Sequence, residues 1–230
     1  MSVRDNLEAV RERMAQSAIK AGRLPEDITL VAVSKTKPVE LIAQAVEAGA
    51  LHLGENRVQE MMSKIDLLPK EVKWHLIGQL QKNKVKYIID KVELVHSLCT
   101  LSVAAEMQRL CEKHDTHLDC LIELNVARED SKSGLLEEDI PAFLDAIAPM
   151  DRVHIKGLMT VAPIAADPDE VRPVFAKMRS WFDKLAAEKR NNFSMEVLSM
   201  GMSGDFPAAI EEGATMVRVG SSIFGDRIYN

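Results

Sequence analysis

The chain has 230 residues, a formal net charge of -6, 47% apolar residues and 28% charged residues. That balance belongs to a globular protein, and the mild acidity excludes a large nucleic-acid footprint, which needs clustered positive charge. No apolar run approaches the length that crosses a bilayer, so no membrane span is expected.

Aromatic residues make up only 4%, so aliphatic side chains and the 12 methionines must fill the core. The first residues, Met1-Ser2-Val3-Arg4-Asp5, carry charges of both signs and no apolar stretch, which argues against a secretory signal. Cys99, Cys111 and Cys120 are odd in number and lack C-x-x-C spacing. They read as free thiols in a reducing cytoplasm, the expected location.

Leu7, Val10 and Met14 recur at three- and four-residue steps in a charged segment and predict a surface helix. The run 28–35 predicts the first strand. It stops at Thr36-Lys37-Pro38, because proline cannot donate to a sheet ladder and biases its predecessor away from helix. Side chains alternate along a strand, so Lys35 shares the face of Val31 and Val33. If that face is the interior, a primary amine stands at the mouth of a packed core. Lys37, past the strand end, is expected to face solvent. A helix follows over 38–46, with proline in its first turn and Gly49 beyond its end.

The alternation then repeats. Apolar runs at 51–54, 72–78, 94–98, 118–126, 153–159, 195–200 and 215–219 predict further strands, and 101–114 and 171–189 have helical spacing. Regular β-then-α order implies parallel strands with crossover helices. Eight such units in this length match an α/β fold of one (β/α)8 TIM barrel spanning 1–230. A doubly wound open sheet is the alternative.

Barrels carry their chemistry at the C-terminal strand ends. The first such end holds Lys35. The seventh and eighth run into 199–204 and 220–222, both rich in glycine and serine. Glycine lets backbone N–H groups approach an anion, and serine adds donors. Neither loop matches the nucleotide-binding glycine motifs. A lysine and a phosphate cradle in one cavity fit an aldehyde that carries a phosphate, and pyridoxal 5'-phosphate (PLP) is that molecule. Desolvated lysines form Schiff bases with aldehydes. Arg218, inward with Met216 and Gly220, could hydrogen-bond the pyridine nitrogen.

At this point the chain resembles the pyridoxal-phosphate homeostasis protein family. The matching stretches are Val31–Pro38, Gly54-Glu55-Asn56, Trp74–Lys84, Ser131-Lys132-Ser133-Gly134, Gly157-Leu158-Met159, Leu198–Ser203 and Gly213–Gly220, and they span nearly the whole chain. The resemblance implies a barrel similar to the alanine racemase N-terminal domain, with PLP on Lys35 as an internal aldimine. It also implies cofactor contacts from Asn56, Ser199, Met202, Ser203, Arg218, Gly220 and Ser221, with Met159 of the fifth matching stretch beside them. Two positions depart from the family pattern. Arg57 stands where a tyrosine is common, and Gly204 where an acid is common.

A non-catalytic carrier of PLP, active in vitamin B6 and amino-acid balance, is the expected function, with apo PLP-dependent enzymes as recipients. The eight βα units consume the chain, and neither Tyr87, in an expected surface helix, nor Tyr229, in the tail, is placed to be a second proton-transfer group. No second domain needs a partner's residues, so a monomer is expected. The main rival is a PLP-dependent amino-acid racemase or decarboxylase; a cofactor-free Schiff-base aldolase and an interaction scaffold that has lost its pocket rank behind it. Of the remaining motifs, His114 and His117 read as a solvated helix face, His75 as a hydrogen-bonded interior histidine, and Lys82, Lys84 and Lys86 as a charged helix near the pocket rim. No metal site is expected.

Overall fold

The computed structural model describes residues 2–129 and 132–225. Eight strands close in chain order into a parallel barrel: β1 (Thr29–Val33), β2 (His52–Glu55), β3 (Lys73–Leu76), β4 (Leu94–Leu98), β5 (Leu118–Glu123), β6 (Val153–Met159), β7 (Phe193–Ser199) and β8 (Met216–Val219). The seam is direct. Val31 of β1 pairs with Arg218 of β8, and Ala32 with Val219. Closure leaves no edge strand with unpaired backbone groups, and it rules out the open-sheet alternative.

The helices are α1 (Val3–Lys20), α2 (Val39–Glu47), α3 (Val58–Lys64), α4 (Leu101–His114), α5 (Ile140–Ile147), α6 (Arg172–Ala186), α7 (Phe206–Glu211) and α8 (Ser221–Phe224). Helix α1 precedes the barrel and packs on α2, α7 and α8. Its apolar stripe of Leu7, Val10 and Met14 is buried. Ser2 and Asp5 close a reciprocal cap at its start, which satisfies two amides that the first turn leaves open. Among the described residues no helix is long and apolar enough to cross a membrane.

The period-two pattern sorts the side chains into two cores. Val31, Leu94, Leu121, Met159 and Met216 fill the barrel interior. The opposite faces pack under the helices in a larger cluster. Gly157 takes φ +152°, and a Cβ there would run into the Val197 carbonyl. Strand registers shift on both sides of this point, so the glycine lets β6 and β7 approach where the barrel bends.

The structure differs from the sequence reading in two places that matter for the site. Strand β1 ends at Val33, before Lys35, because Thr36 adopts φ +62° and turns the chain out of the ladder. Between β3 and β4 the expected α-helix is a short 3-10 segment, Lys82–Tyr87. Lys82 and Lys86 would be like charges one helical turn apart, which disfavours an α-helix. Lys84 and Lys86 instead lie over the Tyr87 ring, at 5.9 and 5.0 Å from its centroid.

Candidate functional site

A cavity of about 520 Å³ opens at the C-terminal mouth of the barrel. Lys35, Met202, Ser203, Arg218, Gly220 and Ser221 line it, together with Val33, Lys37, Ile77, Gly204 and Gly225. Residues from the first and the last two strand ends therefore share one space. Asn56, Met159 and Ser199 are not among the lining residues. Met159 is buried in the barrel interior, Ser199 lies fully buried behind Arg218, and Asn56 is half-buried after β2 with its carbonyl against Gly78. Ser131, in one of the matching stretches, lies outside the described residues, as does Tyr229.

Lys35 is half-buried in the turn after β1, and its neighbours on both sides are pinned. The Ser34 hydroxyl donates to Glu55 Oε1 at 2.6 Å, and the Ser34 carbonyl accepts from Lys64 Nζ at 3.0 Å. The Thr36 amide donates to Glu60 Oε1 at 2.5 Å. Lys64 bridges the two acids, at 2.8 Å from Glu55 and 2.7 Å from Glu60. Burial pushes the Glu55 carboxyl upward against the hydrogen bonds from Lys64 and Ser34. For Glu60 burial also pushes upward, but the bonds from Lys64 and Thr36 win and hold it below its ordinary value. The pair Glu60 and Lys64 sits one turn apart on α3, a signal readable in sequence; its aim at Ser34 and Thr36 was not.

The same cavity is lined by Ser203 and Gly220, where two backbone amides converge on one serine. Ser203 Oγ accepts from the amides of Gly220 at 3.2 Å and Ser222 at 3.4 Å. The loop that carries Ser203 turns at Gly201, with φ +92°. Asp205 holds the Met202 amide at 2.5 Å, while burial raises its carboxyl above the ordinary value. A Cβ at Gly220 would press on Val33 at 3.3 Å, whereas one at Gly204 would meet nothing within 4 Å. The departure at Gly204 thus leaves the cradle's rim open. Arg57, the other departure, is exposed and does not line the cavity.

Arg218 forms the floor. It is 4% exposed, and donates through Nη1 to Ser199 Oγ at 2.6 Å and through Nη2 to the Thr160 carbonyl at 2.8 Å. Burial lowers its pKa to about 10 against the opposing pull of Asp205 and Glu123, so it keeps its proton at neutral pH. Glu123, at the end of β5, escaped the sequence reading. Burial raises its carboxyl to about 7, with Arg218 opposing, and its Oε2 has no hydrogen-bond partner among the described residues.

Several expectations change. Lys37 does not face open solvent; it lines the cavity and donates to the carbonyls of Phe224 at 3.2 Å and Gly225 at 2.7 Å. It ties the β1 turn to the end of α8. Lys82, Lys84 and Lys86 are not among the lining residues. His114 and His117 do not share a helix face, because α4 ends at His114 and Asp115 turns left-handed at φ +47°. His117 instead stacks on His154 at 4.6 Å, and both face Asp119 on the outer surface of β5 and β6. His75 is the interior, hydrogen-bonded histidine expected, bonded to His52 and His96, and burial lowers it to about 3. Cys99, Cys111 and Cys120 are free thiols, and burial raises each of them.

Comparison with known proteins gives the chain a family and agrees with its fold. Residues 3–228 match the family described as alanine racemase, N-terminal domain. The chain is 41% identical over 230 residues to the pyridoxal phosphate homeostasis protein of Aquifex aeolicus, covering 100% of each chain. It is 38% identical over 229 residues to the protein of the same name from Escherichia coli, covering 98% of this chain and 97% of that one. Among solved structures it resembles PipY of Synechococcus elongatus with PLP bound, at a TM-score of 0.84 and 31% identity, covering 97% of this chain and 100% of that one. With relatives of 41% and 38% identity matched over nearly the whole sequence, this closed eight-stranded barrel belongs to the pyridoxal phosphate homeostasis protein family.

Proposed function

We propose that this chain binds PLP in the barrel-mouth cavity, with Lys35 as the amine that holds it, and acts as a carrier without turnover of its own. The observation that carries this reading is the meeting of Lys35, the amide cradle around Ser203 and Arg218 in one cavity. Bound PLP supplies an aldehyde that condenses reversibly with primary amines.

The residues fit such a ligand. Ser203 gathers the Gly220 and Ser222 amides, donors of the kind that a phosphate accepts from. Gly220 keeps Val33 at contact distance, and any larger residue would crowd the cradle. Arg218, always a donor and never an acceptor, holds the ring nitrogen unprotonated. A ring held that way is a weak electron sink, which suits storage better than amino-acid chemistry. Among the described residues no tyrosine lines the cavity, and Tyr87 is exposed. We read Asn56, Met159 and Ser199 as contacts or supports of the same ligand. The carrier would work as a monomer and pass PLP to apo-enzymes, whose own lysines displace Lys35.

Borohydride reduction after incubation with PLP, followed by peptide mapping, tests the anchor. A phosphopyridoxyl adduct on Lys35 is expected; one on another lysine defeats the assignment. An amino-acid panel tests the carrier role. Racemisation or decarboxylation well above a Lys35→Ala control would favour the enzyme instead.

A further inference from the structure

Three histidines cross the barrel interior in one unbroken hydrogen-bonded chain. His52 Nδ1 lies 2.8 Å from His75 Nε2, and His75 Nδ1 lies 2.9 Å from His96 Nε2. His96 Nδ1 lies 3.1 Å from Ser199 Oγ, which accepts from Arg218 Nη1 at 2.6 Å. His75 and His96 are fully buried, and His52 is half-buried at the opposite, N-terminal end of the barrel. Each residue stands on a different strand, and only closure of the barrel brings them into line.

The chain has a direction, and Arg218 sets it. A guanidinium only donates, so Ser199 Oγ must accept from it. The remaining partner of that oxygen among the described residues is His96 Nδ1. If His96 donated there, the serine proton would be buried without an acceptor, which native interiors avoid. The serine therefore donates to His96 Nδ1, and His96 carries its proton on Nε2. His96 Nε2–H then donates to His75 Nδ1, and His75 Nε2–H donates to His52 Nδ1. All three rings take the same neutral tautomer. Burial lowers the pKa of each ring; nearby cations lower it further, and Glu93 opposes the effect at His52 without reversing it, which agrees with three neutral imidazoles.

We propose that His96, backed by His75 and His52, is a positioning residue for Arg218. Through the Ser199 hydroxyl it fixes where one guanidinium arm points, while the Thr160 carbonyl fixes another. Arg218 also lines the cavity, so fixing these two arms fixes the guanidinium at the cavity wall. The consequence for ligand affinity rests on the PLP reading above; the tautomer pattern does not.

Nitrogen-detected NMR of the ligand-free full chain reads the tautomers directly. The expected result is Nε2–H at His52, His75 and His96; an Nδ1–H tautomer or an imidazolium at His96 overturns the proposal. Ser199→Ala removes the donor that sets the direction. The His75 signals, two links away, are then expected to move to mixed tautomers, and unmoved signals would show a serine that merely packs. Should that variant fail to fold, His52→Ala, at the half-buried end, keeps the proposal testable: with the Arg218 end intact His96 is expected to stay Nε2–H, and a move of its signals to Nδ1–H would show that Arg218 does not set the direction. With PLP added, Ser199→Ala is expected to bind about tenfold more weakly, and equal affinity would refute positioning. Wild-type protein that bound no PLP would instead sink the PLP reading and leave the tautomer assignment standing.

Discussion

Lys64 Nζ donates to the carbonyl of Ser34 at 3.0 Å, one residue before the lysine that faces the cavity. The same ammonium holds Glu55 and Glu60, and Glu60 in turn holds the amide of Thr36, one residue after it. A buried ion network thus clamps the backbone on both sides of Lys35. Burying charges is costly, and such a network contributes geometry more surely than stability.

Lys64→Met tests the clamp. It leaves Glu55 buried without its cation, a change that costs about 3–5 kcal/mol. Urea unfolding should show that loss, and reaction of Lys35 with PLP should slow. The double variant Lys64→Met with Glu55→Gln should recover part of the stability but not the rate, because the Ser34 carbonyl still lacks its donor.

Ser203→Ala separates the phosphate from the rest of the ligand. In the proposed cradle the serine hydroxyl bonds the charged phosphate, so PLP affinity should fall by about tenfold. Pyridoxal, which lacks the phosphate, should bind the variant and the wild type alike. Absorbance titrations with the two aldehydes distinguish these outcomes.

Gly201→Ala should disturb the same cradle through the backbone. At φ +92° an L-residue is strained, and a Cβ would lie 2.6 Å from that of Ala209. A loss of about 2–4 kcal/mol is expected from strain and overpacking together. Thermal unfolding of the ligand-free protein measures it.

Glu123 should make stability depend on pH. Its carboxyl rises from an ordinary 4.5 to about 7 in the folded chain. The folded state then binds the proton more tightly than the unfolded state does. Its contribution is complete below pH 4.5 and is lost as pH rises towards about 7 and beyond. The shift corresponds to roughly 3 kcal/mol. Unfolding measured at about pH 5 and about pH 8 should show a fall for the wild type that Glu123→Gln lacks, since the amide stays neutral throughout. Equal pH slopes in the two proteins would contradict the shift.

Sequence alone was enough for the barrel, because its information is local and repeated. Short apolar runs separated by helical spacing specify parallel strands, and proline and glycine mark the turns. It also picked out Lys35, the serine loops and Arg218 by residue type and place near a strand end, and the structure gathers them around one cavity. Contacts between distant strands were decided only by the tertiary structure. Lys37 could be placed against Phe224 and Gly225 only once β1 and β8 closed the ring. The Lys64 clamp and the histidine chain are likewise invisible in one dimension. They depend on which side chains a closed barrel turns inward at the same height, and charge burial and proton direction follow from that packing.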